Sequence, residues 1–274
     1  MTPVVESTFK EIEGCLDLLE GQLEARQKHA KDLDEMLDAC GKMRSLEDEP
    51  IRTIHHLACT GGTLISKCIA SMPNVLVLNE INPFNNSDRR RGGVLFAPNN
   101  IRVLIRQGDD TFLTNELIAE LFLADLEVIR KQCWLTGRVL VLRDHTNSQF
   151  LQPEYDSGKP ILREIVAEKF PVLSLVTTRN KKNAYDSMVR KNWHKLFRPS
   201  TYEEYERRHG IFMERFADVP TMRYEDFCSH PKEKIRDICK ILKLEYFDGF
   251  EDVFHSFKFS GDSGRGGRTI ISGR

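Results

Sequence analysis

The sequence predicts an α/β protein: a three-layer sandwich around a central parallel sheet, preceded by an amphipathic N-terminal helix. Three observations carry this. Apolar runs of strand length recur at 54–58, 75–80, 137–142 and 171–178, with stretches of helical spacing between them. The first two flank a glycine turn and a short helical pattern, the order of a right-handed crossover between parallel strands. Before them, from Phe9 to Cys40, apolar residues fall alternately three and four apart.

The N-terminal pattern runs Phe9, Ile12, Leu16, Leu19, Leu23, Ala30, Leu33, Leu37, Cys40, broken once at Arg26. This heptad seam suits a coiled coil, within a homodimer through residues 9–40 or folded back as a hairpin, and equally a long helix packed on its own domain. Residues 1–48 are read as this heptad helix, and Ser45–Pro50 as a linker. Residues 51–274 then form the main domain.

Ile54, Leu57 and Ala58 mark the first strand, Thr60-Gly61-Gly62-Thr63 the turn, and Leu64, Ile65, Cys68 and Ile69 the helix. A strand feeding a glycine turn into a helix start is an anion site, because the first helical N–H groups lack intrahelical partners and the dipole adds positive charge. It is not a Walker A loop, which needs Lys directly after its last glycine; here Thr63 follows Gly62. The next strand, Val75–Glu80, ends on a carboxylate. Ligands of parallel sheets lie off the C-terminal strand ends, so Glu80 belongs near the glycine turn. Residues 82–100 read as a loop holding Arg89-Arg90-Arg91, and Phe112–Trp134 as a helix with Thr114 as a cap.

The strand Gly137–Leu142 stops at Arg143-Asp144-His145, which sets a base, an acid and an imidazole at a strand end. A helix follows over Ile161–Lys169, then the strand Pro171–Thr178. At its end stands Arg179, suited to bidentate phosphate recognition, with Ser187 eight residues on. Tyr202–Phe216 reads as a polar helix, Val219–Phe227 as a strand entering a turn, and Pro231–Leu242 as an amphipathic helix opened by proline. The tail from Phe257 to Arg268 is glycine-rich and basic, and Arg265 or Arg268 is a candidate to close over a bound phosphate.

The totals exclude some classes. With 40 basic and 41 acidic residues among 274, the net charge of −1 gives no global attraction to nucleic acid or membrane. Seven cysteines, an odd number without a C-x-x-C, argue against a disulfide framework or metal cluster and for a reducing, cytoplasmic setting. No stretch of 18 apolar residues predicts a membrane span, and Met1–Glu6 has no signal-like character.

Taken together, Cys59-Thr60-Gly61-Gly62-Thr63-Leu64, Thr178-Arg179 with Ser187, and Arg223–Phe227 resemble the sulfotransferase family that uses 3′-phosphoadenosine 5′-phosphosulfate (PAPS), over roughly residues 51–265. The resemblance implies a P-loop-NTPase-like fold and transfer of a sulfuryl group to an acceptor hydroxyl, on a carbohydrate or small molecule, without a metal. It implies that Cys59, Thr60, Gly61, Gly62, Thr63 and Leu64 hold the phosphosulfate. Arg179 and Ser187 would bind the 3′-phosphate, with Arg265 on a late lid. His145 would be the catalytic base with Glu80 second, and Arg143 the electrostatic stabiliser. Members commonly carry Lys or Arg where this chain has Cys59, and a thiol cannot supply that charge. Two other classes stay open: a noncatalytic nucleotide-binding scaffold organised by the coiled coil, and a P-loop-type nucleotide kinase.

Overall fold

The computed structural model describes residues 16, 20, 45–84, 100–109, 111–260 and 270. The chain divides into two compact units, Met1–Glu49 and Pro50–Arg274. In the first, Leu16 and Glu20 are helical; the rest of the Phe9–Cys40 seam lies outside the described residues. So do Arg89–Arg91, Arg265 and Arg268.

The second unit is built on five parallel strands: β1 (Ile51–His56), β2 (Val75–Ile81), β3 (Val139–Asp144), β4 (Val172–Thr178) and β5 (Thr221–Arg223), in the order β2–β3–β1–β4–β5. Between and after them run α1 (Gly62–Ala70), α2 (Ile101–Gly108), α3 (Asn115–Leu135), α4 (Asn147–Phe150), α5 (Leu162–Ala167), α6 (Lys181–Arg190), α7 (Tyr202–Arg215), α8 (Tyr224–Ser229), α9 (Pro231–Leu242) and α10 (Phe250–Val253). Every residue of β1 is buried, as its central place between β3 and β4 requires.

Strand alternation divides the apolar side chains between two layers of helices. Ile54, Val141 and Leu175 pack with Ile65 and Ile69 of α1, Phe227 of α8, and Ile235, Ile238 and Leu242 of α9. On the other face Leu140 and Leu142 meet Phe122 and Leu126 of α3 and Ile165 of α5. Val176 on that side meets Ala184 and Met188 of α6 and Tyr205 and Phe212 of α7.

Three local expectations change. β3 continues through Arg143 and Asp144 rather than stopping at Leu142. Val219–Phe227 yields only a three-residue strand, because Glu225 and Asp226 sit in the first turn of α8, where carboxylates favour a helix start. Helix α3 spans Asn115–Leu135 rather than Phe112–Trp134, and its buried stripe is Ile118, Phe122, Leu126, Arg130 and Cys133. Thr114 caps α3 as its sequence predicts, accepting from Leu117 N at 3.2 Å.

Candidate active site

The glycine turn leaves β1 at its C-terminal end. Thr60 Oγ1 donates to Leu57 O (2.8 Å) and Thr177 O (3.3 Å), which ties the turn to β4. Gly61 takes φ +86° as the N-cap of α1, a region L side chains rarely adopt. The two glycines also make room for two rings: a Cβ on Gly61 would stand 2.2 Å from Tyr224, and one on Gly62 would stand 2.2 Å from His56. The first intrahelical bond of α1 is Ile65 N to Gly61 O at 3.1 Å, so the helix presents its opening N–H groups at the turn.

Cys59 sits beside this start at φ +63°, unusual for a non-glycine residue. Its carbonyl accepts from Arg179 Nη1 at 3.3 Å, so the main chain of Cys59 joins the turn to the residue after β4. Arg179 is buried, with its guanidinium 4.9 Å from the centre of the Tyr224 ring. The same Nη1 lies 3.3 Å from Ser187 Oγ, which also accepts from Arg190 Nη2 at 2.8 Å. The predicted pair Arg179–Ser187 thus meets, because α6 folds back past the end of β4. Arg190, which sequence spacing did not single out, completes a hydroxyl held between two guanidinium groups. One helical turn separates it from Ser187.

Arg143 is the centre of the second cluster, and only 1% of its surface is exposed. Its Nε donates to His56 Nε2 (2.9 Å), Nη1 to Asn79 Oδ1 (2.5 Å) and Ser260 O (3.0 Å), and Nη2 to Thr63 Oγ1 (2.8 Å). Nη1 also pairs with Glu80 Oε1 at 2.6 Å, and Glu80 Oε2 lies 3.3 Å from His145 Nε2. Glu80 reaches this place by an irregularity in β2: the register with β3 shifts between Leu78 and Ile81, and Glu80 takes φ +57°. Backbone strain of this kind collects at functional sites. The site therefore gathers Arg143, Glu80, His145 and Thr63, and Glu80 meets the turn through Arg143.

Asp144 does not join them. Since β3 continues through it, its side chain takes the opposite face. There it pairs with His55 Nδ1 at 2.7 Å, and His55 Nε2 bonds Thr53 Oγ1 at 2.9 Å. His55 and His56 thus serve opposite faces of the sheet, one holding Asp144 and the other Arg143. Thr146 Oγ1 closes the end of this pair of strands by donating to His56 O. Burial first, and then the Arg143 charge, hold the His56 imidazole well below its ordinary value.

A cleft of about 810 Å³ opens between α3, α5 and residues 156–160, lined among others by Phe84, Glu116, Leu123, Lys159, Pro160 and Ile165. Among the described residues no helix is long and apolar enough to cross a membrane, and no three His, Cys, Asp or Glu are grouped to hold a metal ion. Among the described residues Cys68, Cys133 and Cys239 are free thiols.

The sequence matches no known protein family and no curated protein. Among solved structures, the chain is similar to the sulfotransferase domain from the Synechococcus PCC 7002 olefin synthase, at 18% identity over 79% of this chain and 79% of that one, with a TM-score of 0.47.

Proposed function

We propose that this chain moves a sulfuryl group from PAPS to an acceptor hydroxyl, releasing 3′,5′-ADP. The observation that carries the reading is the contact of two groups at one sheet edge. The Arg143–Glu80–His145 cluster touches the anion turn through Thr63, while Arg179 and Ser187 are tied to the same turn through the carbonyl of Cys59. A nucleotide phosphorylated at both the 5′ and 3′ positions presents two anions, and the chain offers two linked anion stations.

In this reading the N–H groups at the start of α1, with Thr60, Gly61, Gly62, Thr63 and Leu64, hold the phosphosulfate. Arg179 and Ser187 hold the 3′-phosphate, with Arg190 as a further cation and Arg265 contributed by the tail. PAPS supplies a sulfuryl group already activated by its bond to phosphate. Arg143 offsets negative charge growing on the leaving oxygen, which is the largest contribution such preorganised donors make. His145 takes the proton of the acceptor hydroxyl. Glu80, with one oxygen on Arg143 and the other toward His145, orients the imidazole and stabilises its protonated form. Cys59 contributes its main chain only, and the cation commonly found at that position comes instead from β3. The acceptor is assigned to the loop 82–100 and the segment 146–160, which follow Glu80 and His145 in the chain.

Thermal unfolding with nucleotides tests the reading. Stabilisation by 3′,5′-ADP but not by ADP supports it, and about 2.7 kcal/mol is expected at a ligand concentration 100 times Kd. No response to any nucleotide overturns it in favour of a scaffold. With [³⁵S]-PAPS and an acceptor panel, His145→Ala should lower turnover by about 10²–10⁴-fold while the 3′,5′-ADP response persists. Near-normal turnover in that variant would pass the base role to Glu80.

A further inference from the structure

His56 has no part in the roles above, yet it is buried against the one cation that the proposed chemistry depends on. Its contacts determine its protonation by geometry alone. Nδ1 lies 3.1 Å from Leu57 O, an acceptor, so Nδ1 carries the hydrogen. Nε2 lies 2.9 Å from Arg143 Nε, which can only donate, so Nε2 carries a lone pair. The ring is a neutral imidazole in one tautomer. The charged and titratable groups near it are Arg143, His55 and His145.

We infer that His56 is a positioning residue for Arg143: its Nε2 lone pair fixes the Nε edge of the guanidinium and so aims the opposite edge at Thr63 and the anion turn. Three features support this. A guanidinium is planar, so holding Nε sets the direction of both Nη groups. Nη2 points at Thr63 Oγ1 in the turn, while Nη1 is shared by Asn79, Glu80 and Ser260. Finally, Gly62 is packed so closely over the His56 ring that a Cβ there would overlap it. The second glycine of the turn therefore admits this ring beneath the anion station. The role in catalysis rests on the reading of Arg143 as the stabiliser of the leaving oxygen; the positioning itself does not.

Two variants separate positioning from packing. His56→Phe keeps a ring beneath Gly62 but removes the lone pair. His56→Gln restores an acceptor to Arg143. Hydrogen exchange of the Arg143 Nε–H, followed by NMR with ¹⁵N-labelled arginine, reads the positioning directly. Exchange should speed up about tenfold in His56→Phe, the loss of one hydrogen bond, and recover in His56→Gln. Unchanged exchange in His56→Phe overturns the inference whatever the nucleotide results. In the transfer assay, His56→Phe should lower kcat about 10²-fold, as a misdirected catalytic group does, with KM for PAPS within about twofold and partial rescue by His56→Gln. Equal losses in both variants, with folding intact, would reduce His56 to a packing role. A wild-type protein that ignores 3′,5′-ADP, yet shows the exchange pattern, would overturn the sulfuryl-transfer reading and leave the positioning standing.

Discussion

At the scale of single residues, Cys59 and His56 show how main chain and side chain divide their duties. The thiol of Cys59 brings no charge to the turn, but its left-handed backbone directs a carbonyl at Arg179. In the proposed mechanism the cation at the turn is Arg143, where burial and at least five acceptors leave it little freedom. His56 also leaves a trace in the pH dependence of stability. It is neutral when folded and takes up a proton near pH 6.5 once unfolded. The unfolded chain then binds more protons below that pH, so stability should fall as pH drops from about 7 toward the depressed folded value. The slope is at most about 1.4 kcal/mol per pH unit for one such group. His209, which burial and then Lys181 also hold down, acts in the same direction but with less weight, because it is partly exposed. Urea unfolding at pH 7.5 and 5.5 measures this, and His56→Gln should flatten the difference. An unchanged slope would mean that His56 titrates normally in the folded protein.

At the scale of elements, α7 secures the segment that follows β3. Arg208 is buried, and its guanidinium donates to Phe150 O (3.0 Å), Gln152 O (2.5 Å), Pro153 O (3.3 Å) and Arg198 O (3.3 Å). Its Nε donates to Glu204 Oε1 at 2.6 Å. Hydrogen bonding from Arg207 outweighs the cost of burying Glu204 and, with Arg208, brings its carboxyl down to about 2. Arg208→Ala strips four carbonyls of their donor and should cost about 3–5 kcal/mol in chemical unfolding. Arg208→Lys keeps the charge but loses the planar fork, and should recover only part of that. A loss below about 1 kcal/mol in Arg208→Ala would show that water replaces the guanidinium at little cost. The polar character of α7 and its Glu204–Arg208 pair were legible in sequence, but the partners of Arg208 at Phe150, Gln152 and Pro153 lie 55 to 58 residues away and no spacing rule points to them.

At the scale of the whole molecule, the heptad seam of residues 9–40 gives an expectation about assembly. We propose that it pairs two copies of the chain. Light scattering of the 274-residue chain after size exclusion should give twice its 31.6 kDa mass. Leu23→Asp together with Leu33→Asp should shift it toward the monomer. A wild-type monomer would assign the seam to packing within one chain. The large unit, by contrast, was legible in outline. Apolar runs of strand length, glycine turns and helical spacing are local properties, and they located all five strands, the last read too long, along with the parallel order of the first two and which polar residues stand at strand ends. Glu80, Arg143, His145, Arg179 and Ser187 could therefore all be named from sequence. What the tertiary structure alone decided is which of them touch. Strand order β2–β3–β1–β4–β5 places β3 between β2 and β1, so that Arg143 meets Asn79, Glu80 and His56 at once. The alternation of β3, carried two residues beyond its apolar run, sends Asp144 to His55 on the far face. Such contacts join residues 60 to 120 positions apart. They follow from sheet order and register, which depend on the packing of all the layers together rather than on any local pattern.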